Sequence, residues 1–189
     1  MNAFVNFMAF QAGWFATVLG AANGKPWIGP IVVLAAVALH LRNTRLPMME
    51  ARLLASALLL GLVADSLLLA TGWIAYPNGF WLPGLAPYWI ICLWALFATT
   101  LNVSMRWMAG RYVLAAVFGG IGGPLSYLAG ARLGAMTFTD TTAALVALSL
   151  VWASLMPLLM WLASRLDGTR SPVRPTYIQD GWERVDSHG

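Results

Sequence analysis

LLASALLLGLVADSLLLATG, residues Leu53 to Gly72, carries one charged side chain, Asp65. A helix rises about 1.5 Å per residue, so this run crosses the roughly 30 Å hydrocarbon core of a bilayer. A carboxylate in hydrocarbon must face a partner, a water or a proton. No other acidic residue falls inside an apolar run on this reading. Asp65 is therefore expected to point into a helical bundle.

The rest of the chain has the same character. It has 189 residues, 60% of them hydrophobic and only 10% charged, with a mean hydropathy of +0.72. Soluble domains carry about 25% charged residues. The deficit runs along the whole chain, which predicts an all-α, polytopic transmembrane bundle rather than a soluble domain with an anchor. Six segments fit or nearly fit a span: Ala3–Ala22, Trp27–Leu41, Leu53–Thr71, Tyr88–Trp107, Tyr112–Ala131 and Thr142–Ser164. The N-terminal segment has no basic stretch ahead of it and reads as an uncleaved first span. Residues 1–166 form one transmembrane domain on this reading, and 167–189 a polar, disordered cytoplasmic tail.

Lys and Arg set the threading. Nine of them, Arg42, Arg45, Arg52, Arg106, Arg111, Arg165, Arg170, Arg174 and Arg184, follow even-numbered spans or border the third; only Lys25 and Arg132 lie on the other side. Both termini are then cytoplasmic. The uncharged loop Gly72–Pro87, with Trp73, Tyr76, Phe80 and Trp81, lies outside at headgroup level, as an aromatic belt or as a lid. The net charge of +4 is a matter of loop arginines and topology, not nucleic-acid binding.

Three helices carry polar or small stripes. In the fourth span Tyr88, Cys92, Ala95, Thr99, Asn102 and Arg106 share one face. In the fifth, Gly119, Gly123, Tyr127, Gly130 and Gly134 make a glycine face that admits another backbone closely. Pro124 inside that helix is expected to kink it. In the first, Asn6, Gly13 and Gly20 lie opposite Gln11, which sits among aromatic side chains. An amide facing lipid would be unpaired, so that aromatic face also touches protein or ligand. Depth counted from the helix ends makes Asp65, Gln11, Ser126 and Tyr127 neighbours, walled by Trp14 and Trp94. With Asn102 these make up a candidate intramembrane polar site. Two His and one Cys argue against a metal site, a haem or a disulfide framework, and no cofactor is expected.

Asn6, Gln11-x-x-Trp14-Phe15, Asp65, Pro87-x-Trp89, Trp94-x-x-Phe97-x-x-Thr100, Ser104 and the block GGxGGPxSYxxGxxLGA at Gly119–Ala135 resemble a family of small six-span bacterial inner-membrane proteins classed as a domain of unknown function. The resemblance covers residues 1–166. It supplies no catalytic residue. It implies an association with enzymes that modify unsaturated acyl chains, and with it a lipid-related accessory or lipid-binding role whose partners are membrane lipids. A small proton-coupled transporter using Asp65, or a membrane-embedded lipid-modifying enzyme, are the alternatives.

Overall fold

A computed structural model describes residues 2–170. Six helices follow one another: α1 Ala3–Ala22, α2 Ile28–Arg42, α3 Pro47–Ala70, α4 Tyr88–Leu101, α5 Tyr112–Arg132 and α6 Thr141–Arg165. Two-residue strands, β1 Ile74–Ala75 and β2 Thr137–Phe138, pair antiparallel between them. Four helices, α1, α3, α5 and α6, are long and apolar enough to cross a membrane. The other two are shorter apolar helices, of 15 and 14 residues.

The helix ends follow local chemistry. The Asn2 side chain accepts from the Val5 N–H at 2.8 Å and starts α1. Asp140 does the same for α6, accepting from Ala143 N–H at 3.0 Å. Such caps satisfy backbone donors that the first turn leaves without partners. Pro47 opens α3, where a missing N–H costs nothing. The third helix therefore begins six residues before the expected Leu53 and includes Glu50 in its first turn.

The fourth helix is shorter than the expected Tyr88–Trp107. It ends at Leu101 and gives way to a turn and a short 3-10 helix, Arg106–Met108. The buried Asn6 of α1 explains the break. Its Oδ1 accepts from Ser104 Oγ at 2.8 Å and from Ser104 N–H at 3.3 Å, while its Nδ2 donates to the Thr99 carbonyl at 3.0 Å. The chain past Leu101 is thus pulled across to α1 instead of running on along the helix axis.

α4 is the axis of the bundle. It touches α1, α2, α3 and α6, and α5 packs against α6. Protein surrounds it, so it buries Trp89, Trp94 and Leu96 along with Ala95 and Thr99. The expected polar stripe facing inward, with bulky residues elsewhere, is not how it sits. A helix that is apolar all round belongs in a core.

At one end of the bundle the β1–β2 ribbon pins residues 72–87 to the α5–α6 connection. Asn78 Nδ2 donates to the Ala21 carbonyl and Trp89 Nε1 to the Asn78 carbonyl. Ser66 Oγ accepts from the Ala86 N–H at 3.0 Å. This loop is a fixed cover: Trp81 stands 81% exposed, whereas Tyr76 is buried and its ring meets Trp89 edge-on. The opposite end holds every described arginine but Arg132 and is called the basic end below. There Asp167–Arg170, at the start of the stretch read as a free tail, fold back onto α3: the Gly168 carbonyl accepts from Arg45 and Leu46 N–H, both at 2.9 Å. The remainder of that stretch, 171–189, lies outside the described residues.

Candidate functional site

Asp65 is 1% exposed and faces the bundle interior. One turn before it on the same face is Gly61, and that glycine leaves a notch. The Trp94 indole of α4 lies in it so closely that a Cβ on Gly61 would stand 2.1 Å from Trp94 Cγ. From there Trp94 Nε1 donates to Asp65 Oδ2 at 2.7 Å. Trp94 also stacks on Trp152 of α6, centroids 4.6 Å apart and planes 13° from parallel. Trp152 in turn presses on α5 where Gly123 leaves room; a Cβ there would be 2.3 Å from Trp152 Cγ. Tyr127, one turn beyond Gly123, donates its hydroxyl to Asp65 Oδ1. Four helices thus meet through two indoles seated against two glycines, with the carboxylate held at their centre. Among the described residues no cation takes part.

The lid adds a group that the sequence reading assigned to the outer surface. The Tyr76 hydroxyl is buried and has no hydrogen-bond partner among the described residues. Burial, and then the nearby Asp65 charge, push its phenol well above the ordinary tyrosine range.

Beside this cluster is a cavity of about 70 Å³ bounded by Trp14 of α1, Trp89 and Trp94 of α4, and Ser126 and Tyr127 of α5. It adjoins a groove of about 400 Å³ between α1 and α5. Phe97 and Trp152 line both voids. One wall of the groove is aromatic, with Phe7, Phe10 and Trp14; the other is small, with Gly122, Ser126 and Ala129. Trp14 Nε1 donates to Ser126 Oγ at 3.1 Å and ties the walls together.

The structure places the expected site residues in four separate settings. Asp65, Trp94 and Tyr127 are in direct hydrogen-bond contact. Trp14 and Ser126 pair with each other and line the same cavity. Gln11 lines only the groove, and its side chain makes no hydrogen bond among the described residues. Asn102 does not belong with Asp65. Its Nδ2 donates to Glu50 Oε1 at 2.9 Å, and fifteen residues of α3 separate Glu50 from Asp65, about 22 Å at 1.5 Å per residue. The reason is the early end of α4, which leaves Asn102 as its C-cap at the basic end.

The glycine face divides as well. Gly119 and Gly123 form the seam with α6, where a Cβ at Gly119 would meet the Trp152 carbonyl at 2.4 Å. Gly130 borders the cavity. Gly134 lies beyond the helix end at φ +89°; a residue in that left-handed conformation ends a helix and favours glycine.

Reasoning from sequence missed Gly61, Tyr76, Trp89 and Trp152, and the pair His40 and Glu50. Gly61 carried a signal: a glycine one turn from a lone carboxylate marks where a large partner can reach it. Glu50 is fully buried in an apolar helix, so Asp65 is not the sole acid in such a setting. Among the described residues no group of three His, Cys, Asp or Glu side chains converges to hold a metal ion.

The sequence model of the family described as "Protein of unknown function (DUF2878)" matches residues 3–158. The chain belongs to this family. The match takes in α1 to α5 and most of α6, and so every residue around Asp65 and the groove. No curated protein and no solved structure matches the chain. The DUF2878 description carries no activity, so what the site does rests on its geometry.

Proposed function

We propose that this DUF2878 protein is a six-span protein of the bacterial inner membrane that holds one acyl chain of a membrane lipid between α1 and α5. Both termini are cytoplasmic, in keeping with the nine-to-two division of Lys and Arg. It acts as a lipid-binding accessory to acyl-chain-modifying enzymes. The observation that carries the reading is the lateral groove. It is apolar, narrow, walled by aromatic side chains, and continues into a cavity that touches Tyr127. Along α1 it runs from Phe7 to Trp14 and on to Val18 in the cavity, about 16 Å of helix. An extended hydrocarbon chain suits that shape. Short α4 needs no lipid-matched length, being wrapped in protein, and α2 fits by local thinning of the bilayer.

Gly122 provides the test. It lines the groove, and a Cβ there meets only Phe118 Cε1, at 3.9 Å. Gly122→Leu should therefore fill the void without disturbing the fold. Native mass spectrometry of protein purified in mild detergent should show bound lipid on the wild type and at least ten-fold less on Gly122→Leu. Equal retention by both proteins would refute the reading.

The enzymatic alternative has one observation in its favour: the Tyr127 hydroxyl, bonded to Asp65, borders the cavity, which is the arrangement of an acid–base pair. Under that reading Asp65→Asn keeps lipid binding and loses the chemical change in lipid composition. Proton-coupled transport through Asp65 has less support, since both carboxylate oxygens are engaged by neutral donors in a closed core.

A further inference from the structure

A second pocket, of about 310 Å³, opens at the basic end, remote from Asp65. Its lining is mostly polar: His40, Asn43, Thr44, Asn102, Arg106 and Thr169, with Ala3 and Val103 beside them. Its floor is a buried polar pair. His40 and Glu50 are 1% and 0% exposed, and His40 Nε2 lies 2.9 Å from Glu50 Oε2. The other Glu50 oxygen accepts from Asn102 Nδ2 and from the Gly168 N–H, both at 2.9 Å. The carboxylate is thus saturated and turned away from the pocket.

The second acid is occupied as well. Asp167 accepts from Arg106 Nη2 through both oxygens, from the Thr169 N–H and from Arg170. Arg106 spends Nε on the Asn102 carbonyl at 2.8 Å and Nη2 on Asp167 and Thr169. Its Nη1 makes no hydrogen bond among the described residues. Neither does His40 Nδ1, the ring nitrogen left over once Nε2 is held by Glu50. The pocket therefore offers a guanidinium NH2 and an imidazole nitrogen, while its carboxylates are turned inward and paired. A guanidinium NH2 whose neighbouring carboxylates are already paired favours an oxyanion, and its two N–H groups can reach two oxygens of one tetrahedral group.

We infer that this pocket binds a phosphate group, held between Arg106 Nη1 and His40 Nδ1. The imidazole suits either protonation state of that group: Nδ1 accepts from a P–OH, or, protonated, donates to a P–O⁻. Glu50 fixes the ring and Asn102 fixes Glu50, so both are positioning residues. The phosphate has two possible sources, the headgroup of a lipid in the adjoining leaflet or a free phosphate or phosphate ester from the aqueous side.

The experiment uses the full chain in a phosphate-free, sugar-based detergent. One arm titrates inorganic phosphate by calorimetry. The other compares phosphatidic acid with diacylglycerol of the same chains by native mass spectrometry. His40→Gln keeps a donor to Glu50 and removes Nδ1; Arg106→Lys keeps the ion pair with Asp167 and removes the second NH2. Binding of inorganic phosphate, or an excess of bound phosphatidic acid over diacylglycerol, that falls at least ten-fold in both variants and persists in Gly122→Leu supports the site. If one variant does not fold, the other decides. Response to inorganic phosphate marks a soluble source, and response to phosphatidic acid alone marks a headgroup. No binding in either arm, phosphatidic acid no better than diacylglycerol with no response to phosphate, or affinity unchanged in the folded variants would each overturn the inference. Loss in Gly122→Leu of the response to inorganic phosphate and of the excess of phosphatidic acid over diacylglycerol would also overturn it, because the phosphate signal would then belong to the acyl groove.

Discussion

Asp65 holds two donors that have nowhere else to go. An asparagine can accept from Trp94 Nε1 through its oxygen and donate to the Tyr127 hydroxyl through its nitrogen. We expect Asp65→Asn to fold with a melting temperature near that of the wild type. Asp65→Leu strands an indole N–H and a phenol in the core, a cost of roughly 2–4 kcal/mol. Thermal unfolding followed by tryptophan fluorescence separates the two. A wild-type melt for Asp65→Leu would mean that Trp94 and Tyr127 find other partners. The glycines beside the indoles are equally exacting. Gly61→Leu or Gly123→Leu must displace Trp94 or Trp152, with a loss of at least ~2 kcal/mol. Leu125→Ile on the same helix as Gly123, at a position 57% exposed, should shift stability by less than ~0.5 kcal/mol. Equal tolerance at Gly123 and Leu125 would count against the seam.

At the scale of elements, the start of α3 and the end of α6 depend on each other. Gly168 sits so tightly that a Cβ would stand 2.3 Å from the Leu46 carbonyl, and backbone cannot swing aside. Gly168→Val should break the contact to Glu50 and cost about 2 kcal/mol, or ~4–8 °C for a chain of this size. An unchanged melt would mean that this contact adds nothing. How much of this was legible follows from what hydropathy encodes. It fixes depth, so Asp65, Tyr127 and Trp94 could be placed at one level, and so could Trp14 and Ser126. It does not fix azimuth. Gln11 shares their depth and faces the groove, and only the order of neighbouring helices says so. Glu50 looked like a loop residue because Arg45, Met48 and Arg52 surround it in sequence. Its partners lie 10, 52 and 118 residues away, a separation no local pattern records. Asn102 was misplaced for the same reason: the bonds that end α4 come from Asn6, 93 to 98 residues away on another helix.

For the molecule as a whole, the proposed threading puts the lid outside and the basic end in the cytoplasm. Trp81 in the lid is 81% exposed and Met48 at the basic end 67%. In a background with Cys92→Ser, a membrane-impermeant maleimide applied to intact cells should label Trp81→Cys and leave Met48→Cys unlabelled until the cells are lysed. The opposite pattern would reverse the threading. It would also move the phosphate pocket to the outer leaflet, where a cytoplasmic phosphate ester could not reach it.

The fold of Gly168 onto Glu50 also bears on how the protein is made. Ribosomes add about 5–20 residues per second. Gly168 follows Glu50 by 118 residues, so roughly 6–24 s pass between the synthesis of that carboxylate and the arrival of its last donor. His40 precedes it and Asn102 comes partway through the interval. Until α6 is inserted, Glu50 lies at the membrane edge with one hydrogen bond missing and Arg106 lacks its carboxylate. A chain that stops short, or whose last helix fails to insert, therefore displays an incompletely paired acid and base at the cytoplasmic face on the proposed threading. Completion of the sixth helix pairs both, and quality-control proteases on that side would have a chemical mark by which to tell a finished bundle from an unfinished one.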